Sequence, residues 1–201
     1  MTSQKHAIGI LAYGSLITDP GDEIAPLIRT RITTRTPFPV EYGRFSRTRG
    51  GAPTLVPVSE GAPVNAEILV LDDSDLIEAA RDMLWRRERH KVGSGEQYKE
   101  GPPPNSVLVR VIHDDPRVET ILYTDFHPEG KTTPRDPKAL AAAAIASVAR
   151  AEPGKDGITY LRDNITVGIH TPLTDAYRDN ILKQSYATTL DDALEKARHG
   201  C

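Results

Sequence analysis

The sequence predicts an α+β protein, and three observations carry that prediction. Strand signals cluster in roughly the first 125 residues, helix signals dominate from about residue 136, and no strict strand-helix-strand rhythm of a doubly wound sheet links them. At 201 residues without a low-complexity stretch, one domain spanning 1–201 is the natural expectation, with a helical C-terminal tail over about 136–201.

Residues 7–12, AIGILA, are a short apolar run that stops at Tyr13-Gly14-Ser15-Leu16, the pattern of a buried strand entering a turn. After Pro20-Gly21, residues 22–29 open on acidic side chains and suit one or two helical turns. Strand-like pieces at 40–45 and 54–58 flank Arg49-Gly50-Gly51-Ala52-Pro53, which reads as a turn or bulge. The run 64–71 alternates and then turns continuously apolar, as a strand entering the core does. Residues 106–112 and 118–124, separated by His113-Asp114-Asp115-Pro116-Arg117, read as a hairpin. Five or six strands are expected.

Asp73-Ser74-Asp75 supplies cap candidates for a helix running to about His90. Asp136-Pro137 opens an Ala-rich helix, Asp as cap and Pro in its first turn, that ends before Pro153-Gly154. Thr171-Pro172 and Thr189 open two more. Gly101-Pro102-Pro103-Pro104 is a loop inside the domain, because strand signal resumes directly after it.

The formal net charge of −3 offers no global positive field for nucleic acid or an anionic membrane, so a small molecule is the expected partner. No stretch is long and apolar enough for a signal peptide core or a membrane span. The single cysteine, Cys201, can form no internal disulfide, which suits the cytoplasm. Six histidines show no metal-ligand spacing and no glycine pattern for a nucleotide occurs, so neither a metal nor a cofactor is expected.

At about 100° per residue, Leu76, Ile77, Ala80, Met83 and Leu84 share one helix face. Arg87 falls within that stripe and Glu88 at its edge, whereas Glu78, Asp82, Trp85 and Arg89 point elsewhere. An inward carboxylate is pulled toward the neutral form by desolvation and toward the charged form by a nearby Arg, which suits proton exchange near neutral pH. The competing reading puts Glu88 on a solvated last turn. Likewise, Tyr13-Gly14-Ser15-Leu16 either aims backbone N–H groups into an oxyanion- or carboxylate-binding concavity or merely connects two elements. Ser15 is not expected to be a nucleophile, for no second glycine and no His-Asp pair accompany it. The cluster Arg29, Arg31, Arg35, Arg44, Arg47 and Arg49 reads as a solvated strand face, with Arg47 or Arg49 beside Gly50-Gly51 available to a substrate carboxylate.

Taken together, the strand running into Tyr13-Gly14-Ser15-Leu16, the Arg49-Gly50 turn, the strand over 68–71, and Arg87-Glu88 followed by Tyr98 resemble the γ-glutamylcyclotransferase-like superfamily, including its glutathione-degrading ChaC-type branch. Tyr160-Leu161, Gly168-Ile169 and Asp175 resemble that branch's helical tail. The resemblance implies a small mixed β-barrel of about six strands with flanking helices. It implies a loop at Tyr13, Gly14, Ser15 and Leu16 that binds the γ-glutamyl group, with Arg49 beside the Gly turn, Glu88 as acid/base and Tyr98 lining the pocket. The implied reaction releases 5-oxoproline from glutathione or another γ-glutamyl peptide or amine. The alternative is a non-catalytic member of the fold that binds a small carboxylate or a protein. The chain departs from the family in carrying Leu16 where Asn is frequent, and in filling the spacer after the Glu with Arg89-His90-Lys91.

Overall fold

Strand β1 (His6–Ala12) is the centre of a five-stranded mixed sheet. The computed structural model describes residues 5–71, 76–101, 103, 106–131 and 136–199. The cap candidates Asp73-Ser74-Asp75, the prolines Pro102 and Pro104, and Cys201 lie outside the described residues. The chain gathers into two compact units, the described parts of Met1–Thr36 with Asn65–Gly130 and of Pro37–Val64 with Lys131–Cys201.

In the first unit β1 pairs antiparallel with β5 (Asn65–Leu71) and parallel with β7 (Val118–Phe126). β2 (Ile28–Arg35) extends the sheet beyond β5, and β6 (Val107–Ile112) extends it beyond β7 as the predicted hairpin. The apolar run of β1 has strands on both sides, which buries Ile8 and Ile10 completely, each contributing about 1.5–3 kcal/mol. Gly9 is required there, because a Cβ would stand 2.5 Å from Ile68 Cγ2. Helix α1 (Ile77–Glu88) packs on β1, β6 and β7 through Ala80, Met83 and Leu84.

The second unit carries the hairpin of β3 (Val40–Ser46) and β4 (Ala52–Pro57) and four helices: α2 (Pro137–Ser147), α3 (Gly157–Thr166), α4 (Thr174–Gln184) and α5 (Leu190–His199). Asp136 caps α2 by accepting from the amides of Lys138 and Ala139, as the Asp-Pro pair predicts. Glu41 is buried here, and its carboxylate accepts from the Tyr42 amide, the Thr171 hydroxyl and the Leu173 amide.

The α+β class is borne out. Among the described residues the strands do not close into a barrel: β2 and β6 are edges of one sheet, and β3 and β4 pair with each other. Seven strands are present among the described residues, the additional one being β2. Residues 22–29 hold one short 3-10 turn, Ala25–Leu27, instead of α-helical turns, and β2 begins at Ile28. Trp85, expected to face outward, is buried, because Tyr98 returns to cover that side of α1. Among the described residues no helix is long and apolar enough to cross a membrane.

Candidate functional site

The first unit brings two separated stretches of sequence together, the turn after β1 and the end of α1. Leaving β1, the chain is extended at Tyr13 and then enters a 3-10 turn at Gly14–Leu16. Gly14 has a φ of +63°, a left-handed conformation that glycine adopts without penalty. Tyr13 donates its hydroxyl to the Thr124 carbonyl at 3.1 Å, fixing the turn to β7. Leu16 is buried and anchors it to the core. Opening amides of such a turn have no acceptor within it, so the backbone offers donors at this point.

At the end of α1, Arg87 and Glu88 are both largely buried, with side chains 12% and 19% exposed. The Arg87 guanidinium organises the site. Its Nη1 donates to Glu88 Oε1 at 2.5 Å, and its Nη2 donates to Ser15 Oγ at 3.2 Å and to the Asp19 carbonyl at 2.5 Å. The Asp19 carboxylate is 3.9 Å away and mostly exposed, so the carbonyl is the effective contact. One cation therefore ties the Glu88 carboxylate to the Tyr13 to Leu16 turn. Among the described residues Glu88 Oε2 accepts no hydrogen bond, which leaves one oxygen for a ligand proton. Since Ser15 Oγ accepts from Arg87, its own hydrogen remains available to donate.

A second ring of contacts holds this pair in place. Arg31 on β2 donates to the Ile17 carbonyl and to Glu67 Oε2, both at 2.7 Å, which secures the far side of the turn. Glu23 accepts from Arg86 Nε at 2.9 and 3.1 Å and from the Gly93 amide at 2.8 Å, and so clasps the segment that follows Glu88. Tyr98 donates its amide to Asp82 and sets its ring edge-on to Trp85, with centroids 6.3 Å apart. Sequence reasoning placed Arg87 inward but did not single out Arg31, Glu23 or Arg86 as supports. The run of alternating arginines carried no sign of which one would reach a carbonyl.

Arg49 belongs to the second unit. Its guanidinium lies over the Tyr160 ring at 4.6 Å and donates to the Lys155 carbonyl at 3.4 Å. A pocket of about 400 Å³ in the same unit, lined by residues such as Thr159, Arg162, Asp191 and Arg198, includes none of the predicted site residues. Among the described residues no group of three His, Cys, Asp or Glu side chains is placed to hold a metal ion.

This chain defines an α+β fold in which the end of helix α1 brings a glutamate and an arginine to the turn that follows β1. No family model matches the sequence, and no curated protein matches it. Among solved structures it is similar to a γ-glutamyl cyclotransferase specific to glutathione from yeast, at 12% identity and a TM-score of 0.49, over 88% of this chain and 98% of that one.

Proposed function

We propose that the chain is a γ-glutamylcyclotransferase that releases 5-oxoproline from a γ-glutamyl peptide or amine, glutathione among them. The observation that carries this reading is the Arg87 bridge, which joins a largely buried carboxylate to the turn whose residues resemble the family's γ-glutamyl-binding loop.

The chemistry follows from what the substrate contains. The α-amine of the γ-glutamyl group attacks its own γ-carbonyl carbon; a C–N bond forms, the carbonyl oxygen gains negative charge, and a five-membered ring closes. The amide C–N bond then breaks and the leaving nitrogen takes a proton. No water is consumed and no protein nucleophile is needed.

An ammonium cannot attack, so Glu88 accepts the proton through Oε2 and returns one to the leaving nitrogen. Arg87 holds the other oxygen and keeps the carboxylate aimed. The amides of the Gly14 to Leu16 turn and the Ser15 hydroxyl hold the substrate folded and stabilise the developing oxyanion. Tyr98 borders the leaving-group side. No metal or cofactor is required, and the cytoplasm is the proposed compartment.

The test is incubation of the purified chain with glutathione, γ-glutamyl-alanine and a γ-glutamylamine, with 5-oxoproline as the readout. Release from at least one is expected. Well-folded protein that forms none from any of them would contradict the proposal.

A further inference from the structure

The segment following Glu88 carries an arginine that makes no ion pair among the described residues. Helix α1 ends in a reversal in which the His90 amide bonds the Arg87 carbonyl and the Lys91 amide bonds the Arg86 carbonyl at 2.8 Å, with His90 at a φ of +55°. This reversal fixes the backbone of Arg89 one residue beyond Glu88, about 100° further round the helix. The Arg89 guanidinium lies over the Trp85 ring at 4.7 Å, and the same ring meets the edge of Tyr98. A stack of three side chains thus holds an exposed cation against the helix turn that ends in Glu88.

The acidic groups around that helix end are each engaged with another partner. Glu23 is held by Arg86 and the Gly93 amide, and Asp82 accepts from the Tyr98 amide. Arg87 holds Glu88, and Lys91 Nζ reaches both oxygens of Glu96 at 2.5 and 2.7 Å. The Arg89 charge is felt by Glu96, yet among the described residues Arg89 makes no ion pair. Stacking engages the face of a guanidinium and leaves its N–H edge, which suits bidentate binding of a carboxylate.

We infer that Arg89 is a specificity residue that receives a carboxylate on the leaving group, selecting γ-glutamyl amino acids and peptides over γ-glutamylamines. This inference rests on the cyclotransferase reading above. Glu88 must reach the leaving nitrogen to protonate it, so whatever that nitrogen carries lies at the end of α1, where Arg89 is held. A leaving amine with a free carboxylate gains a charge-assisted contact there; a neutral or cationic amine gains none.

The experiment compares kcat/KM for γ-glutamyl-alanine and γ-glutamyl-alaninamide, which differ only in the terminal charge, using 5-oxoproline as readout. Wild type is expected to prefer the acid by about tenfold or more. Arg89→Gln is expected to bring the two within about twofold by slowing the acid alone, and Arg89→Lys to restore part of the preference. Equal treatment of the two compounds by wild type, or an undiminished preference in Arg89→Gln, overturns the role of Arg89 and leaves the cyclotransferase reading standing. No 5-oxoproline from either compound or from glutathione overturns that reading and this inference together, whereas release from glutathione alone overturns the inference and leaves the reading standing.

Discussion

Arg87 Nη2 donates to Ser15 Oγ across 3.2 Å, joining residues 72 apart in the chain. The contact makes the site a consequence of folding, because neither the turn nor the helix end provides it alone. Arg87→Ala removes it together with the bonds to Glu88 and the Asp19 carbonyl. We expect a loss of about 2 kcal/mol in stability and of roughly 10²-fold in kcat/KM, as the carboxylate loses its aim. Arg87→Lys should recover stability more than activity, since an ammonium cannot reproduce the fork. Chemical denaturation and 5-oxoproline assays read the two effects separately.

Gly21 is the second point at which backbone serves Arg87. Its φ is +84°, and an added Cβ would stand 3.0 Å from Arg87 Cγ. Gly21→Ala is expected to cost about 1–2 kcal/mol from the left-handed backbone and to lower activity by displacing Arg87. Unchanged activity in a destabilised Gly21→Ala protein would show that the Arg87 position tolerates that displacement.

Tyr186 offers a change that stabilises. It ends α4 at a φ of +52° with 90% of the residue exposed, so its ring contributes no packing, while the Ala187 amide closes the helix on the Leu182 carbonyl. Tyr186→Gly relieves the left-handed conformation and should gain about 1 kcal/mol, raising the thermal midpoint by about 2–4 °C for a chain of this size.

The turn between β6 and β7 sets a pH dependence. Arg117 donates its backbone N–H, Nε and Nη2 to the Asp115 carboxylate at 2.8, 3.0 and 2.8 Å, holding that carboxyl below the ordinary carboxylate range against the opposing effect of burial. A carboxyl whose folded pKa is depressed stabilises the fold above its unfolded pKa of about 3.9, and that contribution disappears as pH falls through the lower folded value. Asp115→Asn is therefore expected to cost about 1 kcal/mol at pH 7, with solvent screening on the Arg117 side, and less at about pH 3, below the unfolded pKa. Urea titrations of both proteins at the two pH values measure the difference.

Much of this was legible in the sequence where one local cause decides the outcome. AIGILA is buried because strands flank it on both sides, Asp136-Pro137 starts a helix through its own capping geometry, and the Asp115 turn joins a hairpin. β2 was not read as a separate strand: IRTRITTR sets only Ile28 and Ile32, both partly exposed, among threonines and arginines, and its pairing with β5 comes from an edge position that so weak an alternation does not announce. Trp85 was misplaced because helical periodicity cannot foresee that Tyr98 folds back over the same face. Helix α3 was not read, since its start rests on Asp156 accepting from the Thr159 amide just after the Pro153-Gly154 break. In the site, the inward pair Arg87-Glu88 followed from the apolar stripe. The bridge from Arg87 to Ser15 did not, because it depends on how β1 and α1 meet.

The central claim is that Glu88 moves protons between the two nitrogens of the substrate. Its most direct measurement is 5-oxoproline release by Glu88→Gln, a variant that keeps the size of the side chain and can still meet Arg87 through its amide oxygen. The account predicts a fall in kcat/KM on the order of 10²-fold or more, with an unchanged thermal midpoint to within about 2 °C. A Glu88→Gln protein as active as wild type would contradict it.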